Sequence, residues 1–144
     1  MKGFTFGEIL IVVVVMGVLG WITWGQFDLA RAKSRDVGRK SDLNEVAKNI
    51  RLYYADYGKL PLESEINNLW GKTWIDKDYV YMKNVPKENY VSKPYCYKPS
   101  VDGKTFTLYA EIENRNDVDC KKTEEKCGNF NYCFAFLFET VVPK

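Results

Sequence analysis

The chain has 144 residues, and its 21 basic and 19 acidic side chains give a formal net charge of +2, with no histidine. Because this balance implies no strong electrostatic partner, binding to nucleic acid is unsupported. The lack of histidine, of a nucleophile motif, of a phosphate-binding loop and of recognisably paired acids argues against catalysis. The sequence therefore predicts a protein that is not an enzyme and implies no cofactor, with room for one small domain.

An almost uninterrupted apolar run extends from Ile9 to Trp24 and begins directly after Glu8. About 20 apolar residues suffice for a helix to cross a bilayer, so the run predicts a membrane span. An ionised acid in such a segment costs roughly 2.5 to 3.5 kcal/mol and needs a partner. We expect that partner to be the amino group of Phe4 on a neighbouring, axially shifted copy, freed by cutting the chain after Gly3.

The junction Gly3-Phe4-Thr5, with a glutamate at the fifth position of the mature chain, resembles the processing site of type IV pilins and pseudopilins. In that family a membrane-embedded aspartyl peptidase, prepilin peptidase, cleaves after the glycine and methylates the new amine. The resemblance implies cleavage between Gly3 and Phe4, N-methylation of Phe4 and an assembly role for Glu8. The short leader, residues 1–3, and Gly7, where the family generally has a large aliphatic residue, depart from the pattern.

The resemblance also implies where the chain lies and what it meets. The N-terminus would be cytoplasmic and the head extracytoplasmic, with the lipid bilayer around the span before assembly. A membrane platform protein and an assembly ATPase machinery would then build a helical homopolymer, either a surface pilus or a periplasmic pseudopilus.

Charge counting conflicts with this orientation. Lys2 is the only base before the span, whereas five bases crowd the region after it: Arg31, Lys33, Arg35, Arg39 and Lys40. The positive-inside rule would place that cluster in the cytoplasm. Four cysteines in the distal part favour an oxidising compartment instead. We base the predicted orientation on the cysteines and the leader, and the conflict with the positive-inside rule stays open.

A second helical pattern follows the span. Apolar residues recur at helical spacing at Leu43, Val46, Ala47, Ile50, Tyr53 or Tyr54, and Tyr57. Gly58 is placed to cap the helix, and Pro61 lies beyond its end. One rod from about residue 4 to 57 would be about 80 Å long. We divide the chain into a leader (1–3), a transmembrane and assembly half (4–27), an amphipathic half (28–58) and a globular head (59–144).

Glycines at 17, 20 and 25 interrupt the apolar helix. Each costs about 1 kcal/mol relative to alanine, although small residues also allow close helix approach in membranes. Gly17, Gly20 and Gly25 therefore have two interpretations that stay open: tight packing against neighbouring helices, or local melting when the subunit leaves the lipid.

The head is predicted to be an antiparallel sheet. After a loop-rich stretch from Leu60 to Glu88, strands at 94–98 and 104–113 flank Asp102-Gly103, a strong hairpin signal. A third strand is predicted from Tyr132 to Val142. Four side chains of the middle strand would face the helix: Phe106, Leu108, Ala110 and Ile112. The predicted fold is α+β and pilin-like, with the long helix packed on a small antiparallel sheet.

Short motifs in the head extend the resemblance. Val85-Pro86-Lys87, the pair Tyr95 and Tyr97, and Leu108-x-Ala110-x-Ile112-Glu113-Asn114 resemble the head of the major pseudopilin of type II secretion.

The four cysteines allow three pairings, which the sequence does not decide. We favour Cys96 with Cys133, to tie neighbouring strands, and Cys120 with Cys127, to close a polar loop. A zinc site is disfavoured because the chain has no C-x-x-C pair and no histidine.

The polar segment 114–119 offers clustered oxygen atoms. Asn116, Asp117 and Asp119 are candidate calcium ligands, and related pseudopilins carry a calcium site near this position. Calcium takes six to eight oxygens, of which this segment supplies about three, so a solvated turn is favoured over a metal site.

The sequence thus predicts a structural subunit of a type IV pilus-like filament. One alternative is a major pseudopilin of a type II secretion or DNA-uptake machine. An alternative of another class is a membrane-anchored extracytoplasmic binding domain that does not polymerise and keeps Met1.

Overall fold

The computed structural model describes residues 3–24, 26–114, 116–117, 120, 126–132 and 134–139, with the backbone alone described at 22–24, 26, 134–137 and 139. Within these residues the helices are α1 (Phe6–Trp24), α2 (Gln26–Tyr57) and α3 (Glu63–Asn67). The strands are β1 (Trp74–Asp76), β2 (Tyr79–Met82), β3 (Cys96–Pro99), β4 (Thr105–Ala110), β5 (Lys126–Cys127), β6 (Phe130–Asn131) and β7 (Phe134–Glu139). The predicted α+β class, with a long helix and small antiparallel sheets, is confirmed.

The long helical segment ends where the sequence predicts. Gly58 has a positive φ of 67°, which glycine adopts without steric cost, and its N–H donates to the carbonyl of Tyr54 at 2.8 Å. At its other end α2 follows α1 after one residue, Gly25, which lies outside the described residues. An unbroken rod through that position stays a prediction.

The core lies between α2 and the main sheet. The predicted apolar stripe is buried at Leu43, Val46, Ala47, Ile50 and Tyr53, because spacings of three and four residues place these side chains on one face. The side chains of the head that meet this face include Ile66, Trp74, Tyr97, Phe106, Leu108 and Ile112. Truncating such a buried aliphatic side chain to alanine typically costs about 2 to 5 kcal/mol.

The main sheet confirms the predicted hairpin and third strand. Its order is β3-β4-β7, antiparallel throughout, with Cys96 opposite Tyr109 and Phe106 opposite Phe138. Gly103, in the connecting turn, has a φ of 67°. The four inward side chains predicted for the middle strand are all fully buried. The third strand is described from Phe134 to Glu139, and its predicted end at Val142 lies outside the described residues.

The stretch predicted as loop-rich contains regular structure. It holds the short helix α3 and an antiparallel ribbon formed by β1 and β2, in which Ile75 lies opposite Val80. These strands are three and four residues long, too short for an alternating pattern to stand out. The ribbon is held by aromatic packing, since Trp74 and Tyr81 lie against Tyr53 of α2.

The favoured cysteine pairing is wrong. The structure joins Cys96 to Cys127, with their Cα atoms 6.2 Å apart, and this bond excludes both Cys96 with Cys133 and Cys120 with Cys127. The cause is the β5–β6 hairpin, which sequence reasoning missed and which brings Cys127 against β3, where its Sγ also lies 3.8 Å from the carbonyl of Tyr97. Cys120 is disulfide-bonded as well, and Cys133 lies outside the described residues.

Candidate functional site

Glu8 has hydrogen-bond donors within its own chain. Its Oε2 accepts from the backbone N–H of Thr5 at 2.8 Å and from the Thr5 hydroxyl at 2.9 Å. In return the Glu8 N–H lies 3.4 Å from Thr5 Oγ1. This reciprocal arrangement is a capping box, which satisfies backbone donors that the first turn of a helix leaves without partners. The spacing Thr-x-x-Glu was the signal in the sequence, and the expectation of an intermolecular partner overlooked it.

The described side chains of α1 are exposed on every side. Large apolar side chains at nearly every position from Ile9 to Leu19 have half or more of their surface accessible, and Trp21 reaches 86%. Phe4, Glu8, Ile9, Ile11, Val12 and Val13 border an apolar groove along the first turns. Glu8 therefore lies at the edge of an apolar surface that the head does not cover.

Two of the three glycines named from the sequence, Gly17 and Gly20, lie on the same open surface. At Gly17 and Gly20 an added Cβ would meet no atom within 4 Å. Gly25 lies outside the described residues. Both interpretations of these glycines remain predictions.

Among the described residues, none of the helices combines the length and the apolar character required of a membrane span.

A buried ion cluster joins the N-terminal half of α2 to the head. At its centre the Arg39 side chain, only 3% exposed, donates from Nε to Glu88 at 2.6 Å, from Nη1 to Asp36 at 2.5 Å and from Nη2 to Glu113 at 2.6 Å. Arg35 forms a bidentate pair with Glu113 at 2.8 and 2.5 Å. Three carboxylates thus surround two guanidinium groups, and planar bidentate pairs of this kind fix orientation as well as charge.

The carboxylates of this ion cluster also accept hydrogen bonds from backbone N–H groups of the head. Asp36, 1% exposed, accepts the N–H groups of Glu113 at 3.0 Å and of Asn114 at 2.9 Å. Glu88 accepts the N–H groups of Asn89 at 3.0 Å and of Tyr90 at 2.7 Å. Two head loops are therefore tied to α2 through charged hydrogen bonds, which are stronger than neutral ones.

The ionised state of the cluster follows from these contacts. Burial would by itself lower the pKa of the Arg39 guanidinium, but the hydrogen bonds to Glu88, Glu113 and Asp36 outweigh it and raise that pKa. Burial likewise opposes ionisation of Glu88, yet the bonds from Arg39 and from the loop amides lower its pKa. The hydrogen bond from Arg35, aided by Arg39, lowers the pKa of Glu113 to about 2.

Two further acids of α2 bind tyrosine hydroxyls of the head. Tyr95 donates to Asp42 at 2.9 Å and Tyr81 donates to Asp56 at 2.7 Å. Burial, together with the hydrogen bond to Asp42, raises the pKa of Tyr95. Burial also raises the pKa of Asp42, because it outweighs the opposing hydrogen bond from Tyr95.

The buried ion cluster was not predicted from the sequence, although a signal was present. Arg39 lies four residues before Leu43, and Asp36 lies three residues before Arg39, so both lie on the same face of α2 as the apolar stripe. A charged residue on a core-facing stripe needs a buried partner. The pattern alone could have indicated that head acids meet this face.

The structure describes two of the three candidate calcium ligands, Asn116 and Asp117. Asp117 accepts an ion pair from Lys40 at 2.9 Å, Asn116 is exposed, and Asp119 lies outside the described residues. Across the part of the chain that the structure describes, no three His, Cys, Asp or Glu side chains group as a metal site would require.

No family model, no curated protein and no solved structure matches this chain.

Proposed function

We propose that the protein is a structural subunit of a type IV pilus-like filament, processed by prepilin peptidase and assembled from the membrane by packing of its N-terminal helices. The observation that carries this proposal is that the two long helices differ in how far their apolar side chains are buried. One face of α2 is buried against the head, whereas the apolar side chains described in α1 are exposed all around the helix. An apolar surface of that extent requires a cover.

During the proposed assembly, the apolar surface of α1 is covered first by lipid and then by other copies of α1. Before assembly, lipid surrounds α1 in the bilayer, with the N-terminus in the cytoplasm and the head on the extracytoplasmic side. The α1 helices of other copies replace the lipid when a platform protein and an assembly ATPase draw the subunit into the filament. Repetition of one heterologous contact that does not close into a ring generates a helical polymer.

Glu8 sets the register in this proposal. In the single subunit Thr5 supplies hydrogen bonds to the Glu8 carboxylate, but the pair carries a net negative charge. The methylated amino group of Phe4, exposed after cleavage behind Gly3, would bring the compensating positive charge from a neighbouring copy. A subunit entering out of register leaves that carboxylate uncompensated in an apolar surrounding, which is unfavourable.

A secretion or DNA-uptake pseudopilin is the second candidate, favoured by the head motifs that resemble the major pseudopilin. Its chemistry of processing and assembly is the same, but its filament stays in the periplasm. An anchored binding domain that does not polymerise is the alternative of another class.

The deciding experiment is the intact mass, with N-terminal fragmentation, of the protein from its own membranes and from sheared surface material. We expect loss of residues 1–3, a methyl group on Phe4 and recovery in the sheared fraction, with a resident inner-membrane protein as the control for lysis. A processed chain confined to the cell would favour the pseudopilus. An unprocessed N-terminus would overturn the proposal in favour of the anchored domain.

A further inference from the structure

The head neutralises most of the basic cluster that follows α1. Of the five bases, Arg35, Arg39 and Lys40 form ion pairs with head or helix carboxylates. Arg31 and Lys33 are exposed and form no ion pair within the described part of the chain. Two cations nearest the proposed bilayer are therefore available to an external anion.

The arrangement of these two bases around the helix is informative. Phe27 precedes Arg31 by four residues and Leu29 precedes Lys33 by four, so each base stands about one turn beyond an exposed apolar side chain. The two pairs lie on nearly opposite sides, because a two-residue step turns the helix by about 200°. A helix lying flat on a membrane would separate apolar and basic residues sideways. Here they are separated along the axis, as in a helix that passes through the surface.

The axial distances agree with that geometry. The 19 residues of α1 span about 28 Å at 1.5 Å per residue, close to the roughly 30 Å hydrocarbon core of a bilayer. Arg31 lies five residues beyond Gln26, the first residue of α2, about 8 Å further along that helix. Because helical side chains point towards the N-terminus, the long stems of Arg31 and Lys33 reach back towards the lipid headgroups. Exposed Trp21 and Phe27 lie in the zone where aromatic residues anchor a span.

We propose that Arg31 and Lys33 form a binding collar for anionic phospholipid headgroups, which holds the unassembled subunit at a fixed depth in the bilayer. This inference rests on the proposed membrane stage of the subunit. Each base near an anionic surface favours it by about fivefold. Entry into a filament then requires release of these lipids. The collar therefore adds an electrostatic attraction to the hydrophobic interaction that keeps α1 in the bilayer.

Asp28 opposes the collar. It is the only acid between Trp24 and Asp36 and lies about one turn from Arg31. An anionic headgroup layer repels this carboxylate, so removing its charge should strengthen the preference that removing the bases weakens.

The test is quenching of tryptophan fluorescence by brominated lipids in vesicles that contain the full chain. Bromines on the acyl chains quench Trp21 and Trp24, while Trp70 and Trp74 in the head supply a constant background. Brominated phosphatidylglycerol is compared with brominated phosphatidylcholine at low salt and at 0.5 M salt. The variants are Arg31→Gln with Lys33→Gln, and Asp28→Asn. The control, Lys48→Gln with Lys59→Gln, removes two exposed bases of the same region about 22 Å or more from Lys33, beyond the screening length.

We expect the wild-type chain to prefer phosphatidylglycerol by about fivefold or more, a preference that salt weakens. The double variant of the collar should lose most of it, Asp28→Asn should increase it, and the control should retain it. Equal quenching by the two lipids, or an equal loss in the control, would overturn the collar while leaving the membrane stage standing. An absence of quenching by either lipid would instead contradict the membrane stage itself.

Discussion

Arg39 on α2 and Glu88 in the loop before β3 form an ion pair whose two side chains are almost completely buried, with 2.6 Å between Nε and Oε2. The residues are 49 positions apart, so the pair forms only when the head docks on the helix. Removing one partner of a buried pair is strongly destabilising because it leaves the other charge without compensation.

Glu88→Gln should therefore lower the free energy of unfolding by about 3 kcal/mol, since Arg39 keeps two other carboxylates. Urea denaturation of the full chain in detergent micelles, followed by near-ultraviolet circular dichroism, measures the change. Lys48→Gln, on the exposed side of α2, is the matched control and should stay within about 0.5 kcal/mol of wild type. Combining Arg39→Met with Glu88→Leu should cost less than the sum of the two single changes, and a loss equal to that sum would contradict a paired contribution.

The pH dependence of stability should identify Glu113. Its pKa of about 2 in the folded protein lies below its ordinary value of 4.5. The carboxylate therefore contributes stability above pH 4.5, and that contribution disappears as the pH falls through 2. The difference in unfolding free energy between wild type and Glu113→Gln should be constant near neutral pH and shrink below 4.5. The same difference for Lys48→Gln, which removes an exposed base and no carboxylate, should stay flat.

The apolar part of this fold was readable from the sequence, whereas the identity of the partners in the ion cluster was not. The stripe from Leu43 to Tyr53 and the alternation of the middle strand follow from periods of 3.6 and 2, which are local properties of the chain. Which acid meets Arg39 depends on how two distant loops fold back, and no local period encodes that choice. Glu8 shows the reverse case, since Thr5-x-x-Glu8 is a local motif that already accounts for hydrogen bonds to its carboxylate within one chain.

The predicted cysteine pairing is wrong for a similar reason. Pairing depends on the β5–β6 hairpin, whose strands of two residues each leave no periodic signal. Spacing along the chain favoured closing the short loop between Cys120 and Cys127, but the fold places Cys127 against β3.

Peptide mapping without reduction should recover a linked pair of peptides that contain Cys96 and Cys127. The bond closes a loop of 31 residues, so replacing both cysteines by alanine should lower the free energy of unfolding by about 3 to 4 kcal/mol in the loop-entropy model. Recovery of a peptide that links Cys96 to Cys133 would contradict the structure and restore the pairing first favoured from the sequence.

Replacing Gly3 should block removal of the leader. Gly3→Val places a branched side chain at the proposed cleavage junction, and the intact mass should then equal that of the full sequence. Gly7→Val is the matched control, because an added Cβ at Gly7 meets no atom within 4 Å and the junction is unchanged. A mature mass in Gly3→Val would contradict processing at this glycine.

Glu8 and Thr5 can be separated by mutation, and their separation decides whether Glu8 only caps a helix. If the capping box were its whole role, Glu8→Ala and Thr5→Ala would have similar effects, each costing about 0.5 to 2 kcal/mol of local helix stability. If the carboxylate also pairs with the amine of a neighbouring Phe4, Thr5→Ala should assemble nearly normally, while Glu8→Ala enters the membrane but not the filament. Carbonate extraction measures membrane insertion, and the yield of sheared filaments measures assembly. Normal filament yield from Glu8→Ala would end the pairing hypothesis, and equal losses from both variants would reduce Glu8 to a cap.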